Sequence, residues 1–139
     1  MEVGTVGVVG AGQMGSGIAH VAAASLLNEA RVLAHPASID NVSTSGGKED
    51  HVSMGMTCAL KLRSIVDLAE NLIAIEILAA AQGLEYRRPL KAGVGVERAF
   101  AILRKIARPL TGDRPLSGDI ARVAETIRRG DFDSGYEKL

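Results

Sequence analysis

Three glycines near the amino terminus have the spacing of a phosphate-binding turn. Gly10, Gly12 and Gly15 form the pattern G-x-G-x-x-G, which follows the β-branched run at residues 3–9. Between a strand and a helix, the first glycine permits a tight turn and the second lets backbone approach a pyrophosphate. The third lets the helix pack close to the strand, and the phosphate binds free N–H groups at the helix start. The pattern therefore predicts a cofactor-binding turn at Gly10, Gly12 and Gly15.

The segment around these glycines resembles the amino terminus of the 3-hydroxyacyl-CoA dehydrogenases. That family carries the same Val-Gly-Val-Val-Gly-Ala-Gly-Gln-Met-Gly-Ser-Gly-Ile-Ala run, and the resemblance covers residues 1–25. It implies NAD, but a nicotinamide site also needs an acidic residue about 20 positions further on to hold the ribose. Continuing the family pattern places that residue at position 33, where this chain has Leu33. We therefore predict no cofactor, and at most weak NAD binding.

Helical periodicity follows the glycines through most of the chain. Apolar residues recur at helical spacing and predict four helices, over residues 13–34, 50–83, 96–107 and 117–129. Residues 39–48 predict a surface loop and residues 132–139 a polar tail. Gly83 is the predicted cap at the end of the long helix, and Ser117 the predicted cap at the start of the last. The predicted fold is mainly α, a helical bundle with one long central helix, preceded by a short β-strand and a glycine-rich turn.

Several ordered motifs occupy residues 26–131. They include Leu-Leu-Asn-Glu, Val-Leu-Ala-His-Pro-Ala-Ser, Glu-Asp-His-Val-Ser-Met-Gly and Asp-Arg-Pro-Leu. Together with Leu-Ile-Ala-Ile-Glu-Ile-Leu-Ala-Ala-Ala-Gln-Gly-Leu at residues 72–84, they resemble the carboxyl-terminal region of the histidine ammonia-lyases, which are aromatic amino acid lyases. The chain thus divides at about residue 25 into parts that resemble two enzyme types, and we expect the two parts to form one folded unit.

The lyase resemblance implies one candidate catalytic residue, Glu49. The glutamate of this motif borders the active site in the family, where it serves substrate recognition or proton handling. Lys48 stands where the family usually has Gln, and a neighbouring cation favours the charged, poorly basic form of the carboxylate. A structural role is the alternative, because a carboxylate before a long helix interacts favourably with the positive end of its dipole.

The same resemblance implies an electrophilic prosthetic group made from an internal Ala-Ser-Gly tripeptide. No Ala-Ser-Gly occurs in this chain. The tyrosine loop and the substrate-binding residues of the family belong to regions that this sequence does not contain. We therefore expect no deamination of histidine by this chain alone.

The central helix points to self-association. Residues 72–81 are apolar all round except for Glu76, so this segment is predicted to be buried on every side. Three shorter helices can hardly cover every face, and in the lyase family the corresponding helices pack into the core of a tetramer. The predicted strand at residues 3–9 also lacks a partner strand. The predicted partner is a second copy of the chain, in a dimer or tetramer.

Composition excludes several other classes of function. Sixteen basic residues balance sixteen acidic ones, which argues against a nucleic-acid or membrane-surface binder. The single cysteine, Cys58, allows no internal disulfide, and its place in a helical pattern predicts a buried, inert thiol. No two histidines have the spacing of metal ligands on a helix. We therefore predict a cytoplasmic protein with no metal site, no nucleic-acid partner and no membrane segment.

Three functions remain open from the sequence. The leading hypothesis is a non-catalytic fusion of two enzyme fragments, engineered or recombined, that folds as a self-associating helical protein. The first alternative is a histidine ammonia-lyase fragment that acts only when the missing amino-terminal part complements it. The second is a weak nucleotide-binding module that uses the glycine-rich turn.

Overall fold

The computed structural model describes residues 13–39, 42–48 and 51–133. These contain four α-helices: α1 (Gln13–Leu33), α2 (Gly55–Tyr86), α3 (Val94–Ile106) and α4 (Ser117–Arg128). A short 3-10 helix, Ser45–Gly47, lies between α1 and α2. The predicted mainly α fold with one long helix is confirmed. The predicted strand and most of the glycine turn lie outside the described residues, as does most of the predicted tail.

Helix α2 is the centre of the bundle, and α1 and α4 pack along it. Near the start of α2, Lys61 contacts the backbone oxygen of His35, just after the end of α1. Arg128 at the end of α4 pairs with Asp67 and Glu70 in the first half of α2. Both neighbours therefore run antiparallel to α2, as short connections between packed helices favour.

Alanine dominates the core where these helices meet. Among the residues that the structure describes, five of the nine buried apolar ones are alanines, and the largest fully buried side chains are those of Leu103 and Val123. Small side chains let helix backbones approach closely, which suits a sequence with only two Phe and no Trp. The core is consequently thin, and each large side chain within it contributes a large share of the packing.

Charged side chains stabilise the positions of the two shorter helices, α3 and α4. The Phe100 ring on α3 lies between Arg88 and Arg104, each guanidinium 4.8 Å from the ring centre. Glu97 accepts hydrogen bonds from the Ala92 N–H and from Arg88, and these lower its pKa below the ordinary value of 4.5. On α4, the hydrogen bond from Arg128 to Glu70, with the attraction between their charges, raises the pKa of Arg128.

The long helix differs from its predicted limits at both ends. It begins at Gly55 rather than residue 50, because Met54 adopts a left-handed conformation (φ 50°) that interrupts helical geometry. It continues past Gly83 to Tyr86, so the predicted cap at Gly83 is wrong. The helix is extended because Glu85, beyond Gly83, pairs with Arg104 of α3 at 2.9 Å.

The predicted cap of α4 is also wrong, and the single chain covers α2 only in part. Leu116 occupies the cap position of α4 without a side-chain cap, and Ser117 is already the first helical residue. In α2, residues 72–81 are not buried on every side of the single chain. Ile73 is 42% exposed, and Ala79 and Ala80 are exposed too, because α1 and α4 cover only part of the helix surface.

Replacing Gly83 with Ala is expected to stabilise the protein by about 0.5–1 kcal/mol. An added Cβ would meet nothing within 4 Å, and alanine has the higher helix propensity. Urea denaturation followed by circular dichroism measures the change. Gly47→Ala is the comparison, and we expect destabilisation of about 1 kcal/mol because Gly47 has a φ of +81°. Destabilisation by Gly83→Ala would instead support the left-handed cap at that position.

Candidate functional site

The connector between α1 and α2, residues 34–54, contains the candidate catalytic segment. Helix α1 ends just before it, with the His35 N–H bonded to the Val32 oxygen at 3.3 Å, and Pro36 then prevents the helix from continuing. The Lys61 ammonium donates to the carbonyl of His35 and so fastens the start of the connector to α2. The hydrogen bonds of His35 to Val32 and to Lys61 therefore fix the direction in which the chain leaves α1.

Four of the connector residues that the structure describes have left-handed backbone conformations. Gly46 and Gly47 adopt them at little cost, whereas Ser45 (φ 55°) and Met54 (φ 50°) are side-chain-bearing residues in the same region. Such a conformation costs an ordinary residue roughly 1–2 kcal/mol, and residues of this kind cluster at functional sites. Hydrogen bonds from Gly47 to Thr44 (3.1 Å) and from Lys48 to Ser45 (3.4 Å) hold the first turn. The turn from Thr44 to Lys48 is therefore held by its own backbone hydrogen bonds.

Glu49, the candidate catalytic residue, lies outside the described residues, together with Asp50. On either side of that gap, the structure places Lys48 and His51 with exposed side chains. An exposed Lys48 is well hydrated, which weakens the electrostatic effect predicted for it. The role of Glu49 remains a prediction from the lyase resemblance.

Of the predicted cofactor-binding glycines, Gly10 and Gly12 also lie outside the described residues. Gly15 lies within α1, in its first turn. Leu33 is the last residue of α1, so the position where the dinucleotide pattern requires an acidic residue at a strand end belongs to a helix. The structure thus gives no added support to a dinucleotide site. That the chain binds NAD weakly or not at all remains a prediction.

Metal ligation and membrane insertion can be examined only within the described ranges. There, no group of three His, Cys, Asp or Glu side chains could hold a metal ion. None of the helices in those ranges is long and apolar enough to cross a membrane. Cys58 is exposed on α2, which contradicts the buried position that helical periodicity predicts.

A cavity of about 420 Å³ lies at the opposite end of α2 and was not predicted from the sequence. It is bounded by the first half of α1, the second half of α2 and the start of α4. The Gln82 side chain closes one wall, since its amide both donates to the Leu110 oxygen (3.2 Å) and accepts from the Leu110 N–H (3.0 Å). Helix geometry places Gln82 about 30 Å from Lys61, so this cavity is separate from the connector.

Charged side chains surround this cavity. Asp119, only 3% exposed, pairs with Arg114 at 2.5 Å and also with Arg122. Arg104 pairs with Glu85, and Arg108 is exposed. Ala19 and Ala23, one helical turn apart, leave the space that forms the cavity. The sequence contains that alanine spacing, but nothing local indicates which elements lie opposite it.

The sequence matches the protein-family model for "Aromatic amino acid lyase" over residues 7–105. This chain belongs to the aromatic amino acid lyase family. The match begins within the glycine-rich segment, and the comparisons mark no boundary near residue 25. The recognition of a lyase in residues 26–131 is thereby confirmed, whereas none of the comparisons shows a dehydrogenase part.

Curated members of the family show the same relationship. Histidine ammonia-lyase from Stigmatella aurantiaca is 48% identical over 115 residues, which cover 83% of this chain and 22% of that protein. Histidine ammonia-lyase from Sorangium cellulosum is 46% identical over 121 residues, 87% of this chain and 24% of the relative. The chain therefore spans less than a quarter of the length of these relatives.

Two solved enzyme structures share the helical arrangement of this chain. Histidine ammonia-lyase from Trypanosoma cruzi superposes with a TM-score of 0.79 and 41% identity, over 84% of this chain and 23% of that one. Tyrosine aminomutase from Streptomyces globisporus superposes with a TM-score of 0.80 and 29% identity, over 94% of this chain and 24% of that one. The described helices thus match about a quarter of each of these two larger structures.

Proposed function

We propose that this chain is a part of a histidine ammonia-lyase that acts only when the remaining part of such an enzyme complements it. The identity to histidine ammonia-lyases, 41–48%, carries this proposal, because it exceeds the 29% identity to a tyrosine aminomutase. The match covers less than a quarter of each curated relative, which supports the need for complementation. Of the hypotheses drawn from the sequence, this one has the most support.

The chemistry assigned to this chain is limited to its own residues. The electrophilic group of the family would activate the amino group of the substrate, but no Ala-Ser-Gly occurs here from which it could form. The complementary part must therefore supply it. Glu49 would bind the substrate or accept a proton beside the reacting centre, and the fixed turn at Ser45–Gly47 would limit where the following residues can lie.

A second copy of this chain is the proposed partner when the complement is absent. Residues spaced alternately three and four apart along α2 form an exposed apolar stripe, which we call the α2 seam. It consists of Ala59, Leu62, Val66, Ala69 and Ile73. This spacing is typical of helices that pack against other helices along their length. Pairing two such seams would remove Leu62 and Ile73 from water, as the prediction of a dimer or tetramer requires.

Light scattering of the purified chain is expected to give a mass of two or four times 14.5 kDa, as a dimer or tetramer requires.

Ile73→Lys should abolish cooperative unfolding rather than yield a folded monomer, because the charge would prevent pairing of the α2 seams. Ser64→Lys, which adds the same charge at an exposed position on α2 outside the seam, is the control. When the chain is co-expressed with the Stigmatella aurantiaca enzyme lacking the aligned residues, the two should purify together. If the chain is a folded 14.5 kDa monomer that does not bind the complementary part, both the proposed self-association and the proposed complementation are contradicted.

The fusion of two enzyme fragments is the second proposal for the origin of the chain. The observation that favours it is the dehydrogenase-like run that includes Gly10, Gly12 and Gly15. Helix α1 crosses the proposed junction at residue 25 without a break. A fused amino terminus would therefore serve as the first turns of a helix, and weak nucleotide binding there remains the least supported function.

A further inference from the structure

The cavity beside the second half of α2, here called the α2 groove, is long and has an apolar floor. It follows α2 from Ile75 to Tyr86, about 16 Å along the helix axis. Ala19, Ala23 and Ala79 form part of its lining, and these small side chains leave room for a chain-like ligand. Its volume of about 420 Å³ lies within the range of small-molecule sites.

One end of the α2 groove is basic. Arg104, Arg108 and Arg114 all line it. Arg104 is held by Glu85 at 2.9 Å, and Arg114 by Asp119 at 2.5 Å. The side chain of Arg108 is exposed, and it makes no hydrogen bond or ion pair with any other described residue. Arg108 is therefore the cation at this end that is available to an incoming anion.

The other end of the α2 groove carries the opposite charge. Glu76 lines it and is exposed, with no ion pair among the described residues. Helix geometry separates Glu76 from Glu85, the partner of Arg104, by about 13 Å along α2. An anionic head group would be repelled by Glu76 and attracted by Arg108. The charges thus set the direction in which a linear anion would lie.

We propose that the α2 groove binds linear aliphatic carboxylates, with the carboxylate at Arg108 and the hydrocarbon chain along the alanine floor. The guanidinium offers the paired N–H donors that match a carboxylate. Each methylene that leaves water raises the affinity by up to about fourfold, so affinity rises with chain length while the chain fits. Residues of two lyase-like motifs, at 72–84 and 113–116, line this site.

Calorimetric titration of the full chain with butyrate, hexanoate, octanoate and octylamine tests the proposal. We expect affinity to rise along the carboxylate series, with a dissociation constant for octanoate of about 1 mM or below. Octylamine should bind at least about tenfold more weakly than octanoate, because it replaces the anion with a cation. Absence of saturable octanoate binding up to about 10 mM, or equal binding of octylamine, overturns the proposal.

Two variants with matched controls locate the site. Arg108→Gln should weaken octanoate binding by about tenfold, through loss of the charged hydrogen bond, whereas Arg87→Gln, at an exposed position outside the groove, should not. Ala79→Leu should weaken binding by filling the floor, whereas Ala101→Leu, exposed on α3, should not. Circular dichroism confirms that each variant is folded. Equal effects of a variant and its control would place the binding elsewhere and overturn the assignment.

Discussion

Replacing Glu49 with Gln is expected to slow ammonia release from histidine by about 100-fold or more in the complemented enzyme. That enzyme consists of this chain and the Stigmatella aurantiaca protein without its 115 aligned residues. Glutamine keeps the shape of the side chain and its ability to accept a hydrogen bond, but it cannot take up a proton. Steady-state kinetics on the complemented enzyme give kcat and KM for the variant.

The control for Glu49→Gln is Asp113→Asn, which removes an exposed carboxylate from the segment between α3 and α4. We expect this control to leave kcat within about twofold, because exposed positions without special contacts tolerate substitution. Light scattering should show that both variants join the complement equally well. A fully active Glu49→Gln enzyme would contradict the proposed catalytic role of this carboxylate.

Replacing Leu103 with Ala is expected to destabilise the protein by about 3 kcal/mol. Leu103 is 1% exposed and packs where α3 meets the alanine-rich core. Removal of its side chain leaves a void that small neighbours such as Ala107 cannot fill. Urea denaturation at a fixed protein concentration measures the loss, since self-association makes stability depend on concentration.

The comparison for Leu103→Ala is Leu60→Ala, on α2 but outside the α2 seam. Leu60 is 57% exposed, so its loss should cost no more than about 0.5 kcal/mol. If Leu103→Ala proves as mild as an exposed substitution, the packing of α3 described above is wrong.

Helix positions were predictable from the sequence wherever periodicity and a local stop signal agreed. Helix α1 begins at Gln13 as predicted and ends one residue before residue 34, because Pro36 prevents its continuation. The start of α2 was missed because nothing in the residue types before Gly55 indicates the left-handed conformation of Met54. Its end was missed because a contact with α3, distant in sequence, outweighs the preference of Gly83 for a cap.

The candidate site was predictable only in part. Residue motifs identified the lyase family and Glu49, since both depend on the order of residues along the chain. The α2 groove was not predictable, because it depends on how the first half of α1 lies against α2 and α4. Arg108 and Glu76 are ordinary surface charges in the sequence, and only their positions at opposite ends of one groove suggest binding.

Ammonia release from histidine tests most directly whether this chain is a functional part of a lyase. Three samples are compared: the chain alone, the complementary Stigmatella aurantiaca part alone, and the two co-expressed. We predict no release above background from either part alone and clear turnover from the pair, lost when Glu49 is replaced. Release of ammonia by the chain alone would contradict the need for complementation. A co-purified pair that remains inactive would contradict the proposal that this chain completes a lyase.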